Sequence, residues 1–249
     1  MIYLVGEMSN GSQKLQDTLP RGIGRCYVER PMRPFPGEPW FLDNGVFRAW
    51  NAAGRDCSID YADCYRYFEG RLPEVGELTR QGVRPMFVVV PDRPGDAASL
   101  WESLAWLDWY EETLQADVDP AGWALGCRQV PLYLAVQDGL TPQELGDLPL
   151  CSETERHALT RVDGLFLGGT DDFKLDIAGW RALCDWWGLA LHFGRCTQSR
   201  IEGAVEAGCD SADSSHPNRL TGARWQRFLQ VHDEILIERF TEPQGGHPS

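Results

Sequence analysis

The sequence predicts a compact (β/α)8 barrel of the TIM type, a single catalytic-sized domain over residues 1–240. Two observations lead there. Short β-type runs alternate with helix-type stretches along nearly the whole chain. The middle runs are continuously apolar rather than alternating, as strands buried on both faces of a parallel sheet are. A length of 249 residues suits one such barrel. A doubly wound sheet is the alternative, but neither a glycine-rich dinucleotide fingerprint nor a phosphate-cradling GxxxxGK(S/T) occurs to favour it.

In chain order the strand candidates are "IYLVGE", "RCYVE", "WFLDNG", "MFVVVPD", "LYLAVQDG", "GLFLGG", "ALHFGR" and the weaker "CDSADS". The first connection, "MSNGSQKLQDTLPRGIG", is irregular, which leaves the count at seven or eight. Helices are expected over residues 58–81, 98–116, 141–160, 173–187, 197–207 and 221–239. In "SLWESLAWLDWYEETL", Leu100, Leu104, Leu107 and Leu114 fall on one side, and Trp101 and Trp109 are expected to broaden that stripe against the sheet. The tail "TEPQGGHPS", 241–249, is rich in Pro and Gly and is expected to be disordered.

Composition narrows the function classes. The eight cysteines are scattered singly, without a CxxC pair, so a zinc ribbon or a secreted disulfide framework is not expected. Reduced thiols in a cytoplasmic protein fit better. No apolar run approaches the ~18 residues that span a bilayer, and the N-terminus reads as a first strand rather than a signal peptide. The formal net charge of −14 opposes long-range attraction of nucleic acid. Only Lys14 and Lys174 among the 23 basic residues are lysines, so anion contacts would fall to forked guanidinium groups.

In a barrel, side chains just past the C-terminal ends of strands line the active site. Those positions hold Asp43 after "WFL", Asp92 after "MFVVVP", Gln137 after "LYLAV", Gly168 and Gly169 after "GLFL", Arg195 after "LHFG", and Asp213 on the last strand. A lone Asp at a strand–helix junction is ordinarily a cap or turn former. Turn chemistry does not, however, require apolar strands to end repeatedly in a carboxylate or amide. Several carboxylates without a Cys/His cluster suit chemistry at a sugar carbon, one attacking the anomeric carbon and another managing protons on the leaving group. No HxH or HExxH occurs and no metal site is expected. His192 reads as a satisfied core histidine inside a strand, and His216 as polar lining or a turn residue.

Taken in order, these motifs resemble the tRNA-guanine transglycosylase superfamily, and most of all its short DNA-modifying relatives, the DpdA-type 7-deazaguanine DNA transglycosylases of phages and bacteria. "FLDNGVF" is similar to the segment carrying that family's general acid/base aspartate, here Asp43. "VVVPDRPGD" resembles the strand whose aspartate hydrogen-bonds the purine, here Asp92. "LYLAVQDG" resembles the strand whose glutamine reads the base, here Gln137, and "VDGLFLGGT" the one whose backbone contacts it, here Gly168 and Gly169. "LHFGRCTQSRIEGAVEAGCDSADSS" is similar to the stretch that ends in the nucleophile, here Asp213. The likeness runs over residues 40–215. The family's zinc-binding Cys-x-Cys-x-x-Cys is absent, so the barrel is expected to lack the zinc-binding subdomain, and Asn44, Val46 and Ser214 replace the usual neighbours.

The resemblance implies replacement of guanine in DNA by a free 7-deazaguanine base such as 7-cyano-7-deazaguanine, through a covalent aspartyl-glycosyl intermediate and without a cofactor. It implies a deoxyguanosine target flipped from the duplex or single-stranded, with Arg195, Arg200 and Arg219 placed to grip flanking phosphates. The same chemistry on tRNA, and a non-catalytic nucleic-acid-binding barrel, are the alternatives.

Overall fold

The computed structural model describes residues 1–5, 23–28, 32–34, 36–55, 59–94, 96, 99–115, 127–148, 157–197, 200–214, 226–227 and 230. The tail at 241–249, the irregular first connection, Arg219, His216 and nearly all of the helix expected at 221–239 lie outside them.

All eight expected strands form, and they close into a parallel barrel in chain order. They are β1 (Ile2–Val5), β2 (Ile23–Tyr27), β3 (Trp40–Leu42), β4 (Phe87–Val89), β5 (Leu132–Val136), β6 (Gly164–Leu167), β7 (Ala190–Phe193) and β8 (Ser211–Ser214). The weakest candidate, β8, completes the ring by pairing with β7 through His192–Ser211 and with β1 from Ile2–Ser211 to Val5–Ser214.

Because successive strand side chains point to opposite faces, each strand contributes to two cores. Trp40, Leu42, Val88, Leu132, Leu134, Leu165, Leu191 and Ala212 face outward into the larger core beneath the helices. Leu4, Cys26, Phe41, Phe87, Tyr133 and Ala135 face inward and fill the barrel. The inner layer is aromatic: Phe41 stacks on Phe87 at 4.6 Å between centroids, and Phe87 on Tyr133 at 3.9 Å. A Cβ at Gly164 would come within 2.6 Å of the Tyr133 ring, so glycine there is what admits the tyrosine. This apolar layer fills the middle of the barrel, below the inward-facing polar positions at its C-terminal end.

Helices cover the outside: α1 (Val46–Ala52), α2 (Tyr61–Glu69), α3 (Leu72–Arg80), α4 (Ser99–Gln115), α5 (Pro142–Gly146), α6 (Ile177–Trp187) and α7 (Ile201–Glu206). Three differ from expectation. The stretch 58–81 breaks into α2 and α3 at Gly70 and Arg71, with Pro73 opening α3. The stretch 141–160 yields only α5, capped by a Thr141–Glu144 box, and a 3₁₀ helix at Ala158–Arg161. On α4, Leu100, Leu104 and Leu107 are buried as expected, but Trp106 and Tyr110 complete the inner face, stacked at 5.0 Å. Trp101 and Trp109 point outward instead, 58% and 38% exposed. Placing Trp106 and Tyr110 inward turns the stripe away from both of those tryptophans.

The described cysteines, among them Cys26, Cys127, Cys184, Cys196 and Cys209 in buried positions, are free thiols. Among the described residues no helix is long and apolar enough to cross a membrane.

Candidate active site

A cavity of about 510 Å³ opens at the C-terminal end of the barrel, lined by Asp43, Asp92, Gln137, Gly168, Gly169, Arg195 and Asp213. Residues from strand ends β3 to β8 thus meet in one place, as the sequence predicts. Phe47 and Trp50 from α1, with Arg55, form part of the rim.

Asp43 follows β3 directly. Its Oδ1 accepts from the backbone N–H of Gly45 at 2.7 Å, and Gly45 at φ 79° turns the chain into α1. Beneath it lies the fully buried Arg71, whose guanidinium donates to the carbonyls of Asp43, at 2.8 Å, and of Val28. The break between α2 and α3 is what brings this cation under the ends of β2 and β3. Loss of water raises the Asp43 carboxyl to about 6; Gly45 opposes the rise, the negative charge of Asp213 adds to it, and Arg71 opposes it. The effect of Asp213 on Asp43 links the two acids electrostatically although β1 and β2 separate their strands.

Asp92 is also raised to about 6, first by burial. It accepts from Asn44 Nδ2 at 2.6 Å and from Gln137 Nε2, while Asn44 Nδ2 also reaches the carbonyl of Val90 at 3.0 Å. Gln137 in turn accepts the backbone N–H of Gly169 through Oε1 at 2.8 Å. Asn44, Asp92, Gln137 and Gly169 therefore form one chain from β3 to β6. The N–H groups of both cavity glycines are bonded within the barrel. The N–H of Gly168 donates to the carbonyls of Val136 and Phe166, and that of Gly169 to Gln137. The two glycines also give room: a Cβ at Gly168 would sit 2.6 Å from Gln137 Nε2, and Gly169 turns at φ 69°.

Asp213 sits on β8 with its side chain 11% exposed. Its Oδ1 accepts the backbone N–H of Arg195 at 3.0 Å and lies 3.0 Å from His192 Nε2. Its carbonyl accepts from Cys196 N at 2.6 Å. No described residue donates to Oδ2. Arg195 reaches that position in a left-handed conformation, φ 53°, with its guanidinium 4.3 Å over the Phe47 ring and bonded to the Gly169 carbonyl. Lys174, buried behind this wall, donates to the carbonyl of Gly194 at 2.5 Å, and burial lowers its ammonium to about 8.

Of the three arginines assigned to phosphate contacts, Arg195 alone lines the cavity. Arg200 pairs with Asp171 at 3.2 Å and stands outside the lining, and Arg219 is outside the described residues. Sequence reasoning missed Asn44, Arg71 and Lys174; it gave His192 as a satisfied core histidine, which it is, but not its partners Ser211 and Asp213. Alternation along β7 and β8 carried a signal for the last, since His192 is two residues before Gly194 and Ser211 two before Asp213. Among the described residues no His, Cys, Asp and Glu cluster is arranged to hold a metal ion.

No protein-family model matches the chain, and no curated protein matches it. Among solved structures, an HpcH/HpaI aldolase from Desulfitobacterium hafniense is similar at 12% identity and a TM-score of 0.41, over 99% of this chain and 94% of that one. Macrophomate synthase is similar at 9% identity and a TM-score of 0.44, over 99% and 85%. A Haloferax volcanii malate synthase in complex with lead(II) is similar at 11% identity and a TM-score of 0.43, over 100% and 74%. Likenesses this weak carry no inference about substrate or chemistry.

Proposed function

We propose that this barrel is an enzyme of the pentosyltransferase class, exchanging guanine in DNA for a free 7-deazaguanine base. The observation that carries the reading is the meeting of Asp43 and Asp213 in one cavity with unlike hydrogen-bond partners. The resemblance of the ordered motifs to the guanine transglycosylases supplies the substrate class, and the missing zinc motif favours DNA over tRNA as the acceptor.

Asp213 Oδ2 attacks the anomeric carbon of a target deoxyguanosine. The carbon–oxygen bond forms as the bond to purine N9 breaks, and the electron pair leaves with the base. Asp43 gives that base a proton and is left as carboxylate, so neutral guanine is released. A 7-deazaguanine then enters, gives its N9 proton to Asp43, and attacks the same carbon. The ester to Asp213 breaks and the carboxylate is restored. Two displacements retain the anomeric configuration. A carboxyl raised to about 6 suits a group that must both give and take a proton near neutrality. The Asn44–Asp92–Gln137 chain offers the edge of a planar base an ordered set of donors and acceptors. Phe166 and Val89 flank the lining.

The test is uptake of radiolabelled guanine by duplex DNA, single-stranded DNA or tRNA in the presence of purified protein. Label in DNA alone is the expected result. Label in tRNA alone transfers the chemistry to RNA, and label in neither overturns the proposal.

A further inference from the structure

We propose that His192, held by Ser211, is a positioning residue for the nucleophile: it fixes Asp213 through Oδ1 so that Oδ2 alone meets the sugar, and it eases departure of the carboxylate when the glycosyl ester breaks. This rests on the base-exchange reading above.

The imidazole is fully buried at the floor of the cavity. It stacks on Phe166 at 4.7 Å and 19°, with Phe41 and Phe87 tilted against it at 5.1 and 5.0 Å. Packed rings on three sides confine its plane. Its two nitrogens then face different partners: Nε2 lies 3.0 Å from Asp213 Oδ1, and Nδ1 2.8 Å from Ser211 Oγ. A carboxylate oxygen can only accept, so the ring proton sits on Nε2. Nδ1 is then a bare acceptor, and the Ser211 hydroxyl donates to it. Each bond in the Ser211–His192–Asp213 series fixes the direction of the next.

Other groups keep the ring neutral. Burial lowers its proton affinity and the charge of Lys174 works the same way, against the opposing pull of Asp213. The charged groups around Asp213 are Lys174, Arg195 and Asp43. A neutral imidazole beside the nucleophile is a hydrogen-bond donor that does not cancel its charge.

Once Oδ2 is esterified to the sugar, Oδ1 is the carbonyl oxygen. Charge returns to both oxygens as the ester breaks, and N–H bonds to a charged acceptor are stronger than to a neutral one. The donors His192 Nε2 and Arg195 N therefore act on formation and breakage of the ester and not on capture of DNA. A histidine that merely filled the barrel would affect folding and leave this partition alone.

The first measurement needs no activity: nitrogen-15 NMR of histidine-labelled protein at pH 7. Protonated Nε2 with bare Nδ1 is expected. The reverse tautomer, with Asp213 donating to Nε2, overturns the proposal. The second compares H192F, which keeps a ring but no donor, with H192Q, whose amide can reach Oδ1. For H192F, kcat for guanine exchange should fall roughly 100-fold with KM for DNA within about twofold. H192Q should recover to within about tenfold of the parent. A trapped glycosyl-enzyme should persist longer in H192F than in the parent. If H192F does not fold, S211A carries the same comparison, with a smaller fall in kcat. Unchanged kcat and adduct lifetime in these variants sink the role of His192. Absence of any adduct or exchange in the parent sinks the base-exchange reading instead, while the NMR result still decides the tautomer.

Discussion

Along the wall built by β3, β4 and β5, carboxyl groups lean on amides: Asp92 on Asn44 and Gln137, Asp43 on the N–H of Gly45. Along the wall built by β7 and β8, one carboxylate leans on an imidazole and the main chain at Arg195, with Lys174 behind it. Both walls line the same cavity. The first leaves two acids with burial only partly compensated, and both are raised to about 6. The second directs two N–H groups at one oxygen and leaves the other open. A place in the cavity alone therefore does not give an acid its task; the donors and charges around it do.

The largest effect expected on this contrast is at the second wall. Asp213→Ala should reduce base exchange by roughly 10⁴-fold or more and abolish the covalent adduct, read by denaturing gel with labelled DNA. The far-ultraviolet circular dichroism should not change. Next, Asp43→Asn keeps an acceptor for Gly45 but removes the proton carrier, and should cost about 10²- to 10⁴-fold. The parent's kcat/KM should decline above pH 6, as the acid form of Asp43 is lost, and the variant should lack that limb. Equal losses and equal pH profiles at the two positions would erase the distinction between the walls. Gln137→Ala cuts the amide chain and leaves Asp92 and the Gly169 N–H with one partner fewer. Its KM for the incoming base should rise roughly 10- to 100-fold, about 1–3 kcal/mol, in a steady-state assay.

The smallest effect concerns stability. Asp43 and Asp92 bind a proton more tightly folded than unfolded, their values rising from 3.8 to about 6. The folded state therefore gains most from them at low pH, and stability declines as pH rises from about 4 through about 6. Each group contributes roughly 1–3 kcal/mol to that decline. Asp43→Asn should flatten about half of it in denaturant titrations run across the interval. A rise in parent stability over the same window would contradict the assignment of burial as the dominant cause.

The strands were legible because continuous apolar runs such as "FVVV" and "LYLAV" have few other uses in a soluble chain. The acids were legible because barrel geometry makes position after a strand meaningful. Arg71 was not, since a basic residue inside an apparently continuous helical stretch gives no hint that the helix breaks there and buries it. Trp101 and Trp109 misled because a tryptophan scores as apolar whichever way it faces; only the packing of Trp106 and Tyr110 decides the helix's rotation. His192 was legible as a satisfied core histidine from its place within a strand, but what satisfies it was not. Its partner became visible only when β7 and β8 were set in register, His192 beside Ser211.

That register carries a temporal consequence. The Asp213 carboxylate belongs to a strand bonded on one side to Ala190–Phe193 and on the other to Ile2–Val5, Leu4 lying opposite Asp213. Pairings of such wide sequence separation form slowly, after local structure is in place. Until the ring shuts, a nascent or partly opened molecule presents an unfinished sheet in which Asp213 lacks its neighbours on β1, so on the base-exchange reading competence would switch on together with completion of the fold.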